Sequence, residues 1–346
     1  MADLEASAAA QAPARGQTLR WLLRLGVAAA LLIAAFRLAI PADGRSLAAS
    51  LGSAWTAPLP EALGWFAGAC AIFGASFAVV ALRFVVLLRA VGLEASWWST
   101  FRAYVVANFL NLILPTAFLS DVYRVADARH EAGRVSEVVA MVALERVLSV
   151  AALGVVVLAA TPFVPLDEAR RAVPLLVLLA AGLVGVSFAV LHPRINTLLR
   201  RVVAPLAGMS ERLASAAQRA LAAVEVLGGQ RGAVLQAFGL SILAQALPVA
   251  AVAALARPLD SDVAWFWYAA IVPFITLLTL IPVTIGGAGL REYLFIELFG
   301  PLGMRPEVAL SLALSVFAVT LAWGFVGVTL FAWGRRRDSL GGAAAS

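Results

Sequence analysis

The sequence predicts an all-α, polytopic transmembrane helical bundle of about eight membrane segments, two of them broken or re-entrant. Three observations predict it. The 346-residue chain is 62% hydrophobic and 13% charged, with a mean hydropathy of +0.94, whereas a soluble domain is about half apolar and about a quarter charged. Its apolar residues gather in runs close to the roughly 20 residues that a helix needs to cross the hydrocarbon core. Two of those runs are short and carry Pro, Gly or Asn.

In chain order, residues 1–19 form an Ala-rich tail without periodicity, read as disordered. Residues 20–334 make a single transmembrane domain and 335–346 a cytoplasmic tail. The first segment follows Arg20 and Arg24 and runs to Ile40. A signal peptide cleaved near Ser46-Leu47-Ala48 is the competing reading, but the run is long for an h-region and Arg37 interrupts it. The second segment, Leu63 to Leu82, ends at Arg83 and Arg89. The third, Tyr104 to Leu119, has 16 residues and contains Asn108, Asn111 and Pro115. The remaining segments are Val138–Val164, Ala172–Leu191, Gly232–Ala256, Ala264–Ile285 and Val308–Trp333. Residues 192–231 link the two halves, and Leu199, Val203, Leu206, Leu213 and Ala217 recur there at helical spacing, as in an amphipathic interfacial helix.

Arginine placement sets the orientation. Arg194, Arg200, Arg201, Arg212, Arg219 and Arg231 in the linker, and Arg335, Arg336 and Arg337 at the end, predict an inner-membrane protein with both termini cytoplasmic. With that orientation the stretch from Ala264 to Pro306 begins and ends outside, and Tyr104–Leu119 is flanked by cytoplasmic arginines on both sides. Pro115 and Pro282 are the break points, and Gly286, Gly287 and Gly289 allow the second chain reversal. Paired broken segments point to an internal repeat whose broken helices build a central transport site; an inverted repeat is one form it can take, and the sequence does not show the inverted axis.

Several function classes are excluded or lose support. All 26 basic residues are Arg, so no P-loop lysine and no Schiff-base lysine exist. The net charge of +6 sits in loops, which reads as membrane orientation and not as nucleic-acid binding. Cys70 is the single cysteine, and His130 and His192 lie apart without a ligand pattern, so no metal or other cofactor is expected.

Three acid–arginine sets carry the chemistry. Asp121 and Arg124 share a helix face, as a headgroup site or a positive-inside anchor. Glu145 and Arg146 lie inside a membrane segment, where each charge costs about 2.5–3.5 kcal/mol; they are a functional site or a pair tying two helices together. Arg291 and Glu292 follow the glycines at the start of a half-helix, whose N–H groups can hold an anion while a guanidinium adds bidentate contact. A simple packing kink is the other reading of those glycines.

The chain resembles the transmembrane region of lysylphosphatidylglycerol synthases and the related flippase-like membrane proteins. Three stretches carry the resemblance: Pro115 followed by Asp121 and Arg124; Glu145-Arg146 followed by Ser149; and Pro282 with Gly286-Gly287-Ala-Gly289-Leu-Arg291-Glu292. Leu119-Ser120 replace the Gly-Gly of the family pattern, and Ser149 replaces its Asp. The resemblance covers roughly Leu19 to Trp333 and implies translocation or trafficking of a lipid. The chain stops at Ser346, shortly after the last segment, so the expectation is a relative without the soluble synthase domain and not an enzyme. Expected partners are an anionic lipid and the membrane, with a second copy or a lipid-biosynthesis enzyme beside it. In the expected site Arg124, Arg146 and Arg291 contact phosphate, and Asp121, Glu145 and Glu292 hold them. A membrane-embedded transferase using Glu145 or Asp121 as base, or a non-transporting scaffold, are the alternatives.

Overall fold

The computed structural model describes residues 15–39, 46–113, 121–127, 134–163, 211–279, 284 and 287–343, with isolated positions between 174 and 201. The expectations for Pro115, Leu119-Ser120, Pro282 and Gly286, for most of the Ala172–Leu191 segment and for the linker before Glu211 lie outside the described residues. Ten α-helices have defined bounds among the described residues: α1 (Arg15–Leu38), α2 (Leu47–Ser53), α3 (Leu59–Ala90), α4 (Trp97–Ile113), α5 (Val135–Ala160), α6 (Glu211–Gly229), α7 (Arg231–Ala256), α8 (Trp265–Thr279), α9 (Leu290–Phe299) and α10 (Pro306–Ala343). A further short helical segment occupies 121–127. No strand occurs among the described residues.

Among the described residues, four helices are long and apolar enough to cross a membrane: α3, α5, α7 and the Pro306–Trp333 part of α10. Leu25–Leu38 and α8 are shorter apolar helices. The described elements are thus all helical, with four helices of membrane-crossing length and hydropathy.

Local chemistry sets the helix ends. A proline in the first turn starts α3, a position where the missing N–H costs nothing. Its far end turns through Gly92, at φ 72°, with Leu93 N–H returning to the Leu88 carbonyl. The helix is longer than expected: it continues through Arg83 to Ala90, and Arg83 is only 3% exposed. Two other ends also differ from expectation. Helix α1 begins at Arg15 instead of Arg20, and α10 runs through the expected tail to Ala343.

Two apolar cores fill the bundle. One joins Ala35 of α1, Val252 and Leu255 of α7, Tyr268 of α8, Phe295 and Phe299 of α9, and the first half of α10. The other joins Phe84, Leu87 and Leu88 of α3, Tyr104 of α4, Met141, Leu144 and Leu148 of α5, and Leu227 of α6. Helix α6 therefore lays an apolar face on α5, as its amphipathic pattern demands. Helix α10 lies against α4 where a Cβ on Gly327 would stand 2.6 Å from the Val105 carbonyl oxygen; only a small residue allows that approach.

Candidate functional site

Inside the second core sits a charged cluster assembled from α3, α4, 121–127, α5 and α7. Glu145 is its centre. Its position about ten residues into α5 places it about 15 Å from the helix start. Burial there is nearly complete, at 3% exposure, and a lone carboxylate would be costly. The charge is compensated from both sides: Oε1 accepts from Arg83 and the Tyr104 hydroxyl, and Oε2 accepts from Arg124.

Each guanidinium has further partners. Arg83 donates to Ser149 Oγ at 2.9 Å and to Ser241 Oγ at 3.0 Å, which brings α3, α5 and α7 together. Arg124 reaches the Tyr104 hydroxyl and Asp121 Oδ1, the latter at 3.2 Å, and stacks over the Tyr104 ring with its carbon 3.9 Å from the centroid. Arg146 forks onto Asp121 at 3.0 and 2.8 Å. Although Glu145 and Arg146 are sequence neighbours, they serve different partners, because consecutive helical residues point about 100° apart. Glu145 is buried, while the Arg146 side chain is 45% exposed.

This cluster lines a cavity of about 210 Å³ whose wall includes Arg83, Tyr104, Asn108, Asn111, Asp121, Arg124, Glu145, Arg146 and Ser149. Among the described residues of this wall, three guanidiniums face two carboxylates, which leaves one positive charge in excess. The Nε atoms of Arg83 and Arg124 and the Oδ1 atom of Asn111 are buried without a hydrogen-bond partner.

Four sequence-predicted residues therefore meet: Asp121, Arg124, Glu145 and Arg146. Arg291 and Glu292 lie elsewhere. Glu292 accepts the Gly289 N–H at 2.6 Å and pairs with Arg291 at 3.0 Å, so its carboxylate caps α9 and holds the arginine at once. Gly287 and Gly289 adopt φ of 76° and 80°, and a Cβ on Gly289 would stand 2.3 Å from the Ala28 carbonyl oxygen of α1. Arg291 borders a second cavity of about 140 Å³, walled mostly by apolar side chains such as Phe73, Val252, Ile275 and Phe295. Among the described residues, none lines both cavities. Phe73 belongs to one and Phe77 to the other, edge to face at 5.4 Å, with the Trp323 ring 5.5 Å from Phe77.

A family model for the lysylphosphatidylglycerol synthase TM region matches residues 21–328. The chain belongs to that family. No curated protein matches it. The family match runs from α1 to near the end of the apolar part of α10 and so includes both cavities. Together with four membrane-length apolar helices, it makes the chain a multi-pass membrane protein. Ser149 accepts a hydrogen bond from Arg83 at 2.9 Å.

Sequence reasoning missed Arg83, Tyr104, Asn108 and Asn111. Arg83 was read as a segment end because arginines mark cytoplasmic boundaries. The available signal was the apolar run that resumes at Phe84 and continues to Leu88, which argues for a helix passing through Arg83.

Proposed function

We propose that the protein translocates or traffics an anionic lipid headgroup across the inner membrane, with the Arg83–Arg124–Glu145 cavity as headgroup site. In this reading the chain crosses in about eight segments, two of them broken, with both termini cytoplasmic. The single observation that carries the proposal is the 210 Å³ polar cavity with its excess guanidinium, set among membrane-length helices. Buried ionisable groups in such helices are expensive and mark substrate paths. Family membership adds support, since the family is named for the membrane region of lysylphosphatidylglycerol synthases.

The headgroup would lie against the guanidiniums while the acyl chains stay in the bilayer. Arg124 and Arg146 supply positive charge, and Asp121 and Glu145 keep the empty cavity close to neutral. Both Glu145 oxygens already accept from guanidiniums, an arrangement that suits holding an anion better than general-base chemistry and favours transport over a transferase. The Arg291–Glu292 element would serve as the second broken segment, where a half-helix start meets an apolar cavity wide enough for part of a chain.

The test is reconstitution into liposomes with head-labelled anionic lipids, following the label's protection from a membrane-impermeant quencher. Wild type is expected to equilibrate the label between leaflets. Arg146→Gln, at a half-exposed position, should keep the fold and slow exchange at least tenfold, and Glu145→Gln should abolish it. Exchange that is absent for wild type, or indifferent to Arg146→Gln, would sink the reading.

A further inference from the structure

The charge balance of the cavity says more than that an anion fits. Each carboxylate of the site is already shared between two arginines: Glu145 by Arg83 and Arg124, and Asp121 by Arg124 and Arg146. Among the described residues, an incoming ammonium would therefore meet carboxylates already neutralised and one surplus guanidinium. Of the stretches that flank 121–127 in sequence, residues 114–120 carry no charge, and Arg129 and Glu131 within 128–133 cancel. An incoming phosphate, by contrast, meets the guanidiniums of Arg83, Arg124 and Arg146 on the cavity wall, where charge-assisted bonds to an oxyanion are strong. Asn108 and Asn111 line the same wall, and a side-chain amide can bond a headgroup hydroxyl. The cavity volume equals that of about seven waters, room for one phosphate and a small substituent.

We propose that this cavity selects headgroups by net charge, taking a phosphodiester with an uncharged hydroxylated substituent and rejecting one that carries an ammonium. Arg83 is the deep anion contact, and Ser149 is the residue that sets the balance. Ser149 Oγ stands 2.9 Å from an Arg83 NH1 donor and gives that guanidinium a neutral partner. A carboxylate at the same position would pair with Arg83 and neutralise the surplus charge, which removes the repulsion that an ammonium meets. The proposal rests on the reading of the cavity as a headgroup site, but it concerns affinity and can be measured without transport.

The experiment is lipid binding to the purified full chain in nanodiscs, comparing phosphatidylglycerol, phosphatidylethanolamine and lysylphosphatidylglycerol, with free glycerol phosphate as a soluble arm. Wild type is expected to prefer phosphatidylglycerol by tenfold or more over either amine-bearing lipid. Ser149→Asp should reduce that ratio at least tenfold, while Ser149→Asn, similar in size and uncharged, should preserve it. Arg83→Lys keeps the charge and loses the planar guanidinium that suits an oxyanion, so it should weaken phosphatidylglycerol binding while retaining the preference. Equal binding of all three lipids by wild type would overturn the proposal, as would identical behaviour of Ser149→Asp and Ser149→Asn. Glycerol phosphate binding as tightly as the lipid would uphold the charge selection and instead count against the lipid-translocation reading. Selective binding with no leaflet exchange in liposomes would likewise separate the two.

Discussion

Glu145-Arg146 and Arg291-Glu292 are the same two residue types side by side, yet the protein uses them in opposite ways. Glu145 turns away from its neighbour into a network that draws on α3, α4 and 121–127, and Arg146 turns to Asp121. Arg291 and Glu292 pair with each other, and Glu292 also closes the backbone of its own helix start. The first set is a tertiary device, since its geometry exists only when several elements are docked. The second is largely local, and a single half-helix supplies most of it. Their surroundings follow: a polar cavity with surplus positive charge around one, and an apolar cavity beside a neutral pair at the other.

That contrast can be broken most forcefully at Glu145. Glu145→Ala leaves two buried guanidiniums without their shared partner and should destabilise the protein by about 3–5 kcal/mol, read from unfolding in mixed detergent micelles. A loss no larger than that of Arg291→Gln would collapse the distinction between tertiary and local pairs.

Next in size is Gly289→Ala. The new Cβ meets the Ala28 carbonyl oxygen and the backbone sits at φ 80°, so a cost of about 1–3 kcal/mol is expected in the same measurement. Loosening of the α1–α9 contact should accompany it, visible as faster hydrogen exchange in both helices. Unchanged exchange in α1 would show that the glycine is not what lets the two helices meet.

Arg291→Gln is expected to cost about 1–3 kcal/mol, because the buried Glu292 loses its charged partner but keeps its bond to the Gly289 N–H. The smallest effect belongs to Arg146→Gln. Its ion pair is half-exposed, and such pairs contribute about 0–1 kcal/mol, so the melting temperature should scarcely move while lipid exchange falls. A large stability loss at Arg146 would make it a structural strut and remove the cleanest probe of the headgroup site.

The helical membrane class was legible from composition and from apolar run lengths, because a bilayer leaves the backbone few alternatives. Charged positions within those runs were legible for a related reason: their cost makes them stand out, and Asp121, Arg124, Glu145 and Arg146 do meet. Arg83 was not, since an arginine near a segment end resembles a boundary marker until its partner is known. Tyr104 and Ser149 are also ordinary in a helix, and only contact with Glu145 and Arg83 gives them a role.

The sequence by itself determined the membrane class, the family and the glycine-rich break with its adjoining Arg-Glu pair. Those depend on hydropathy, on short motifs and on neighbours within one helical turn. Tertiary structure alone decided that Arg291 borders a cavity separate from that of Arg124, that Glu145 belongs to Arg83 and not to Arg146, and that one guanidinium is left over. Pairing between distant helices depends on which faces dock, and a one-dimensional pattern of charges does not record that.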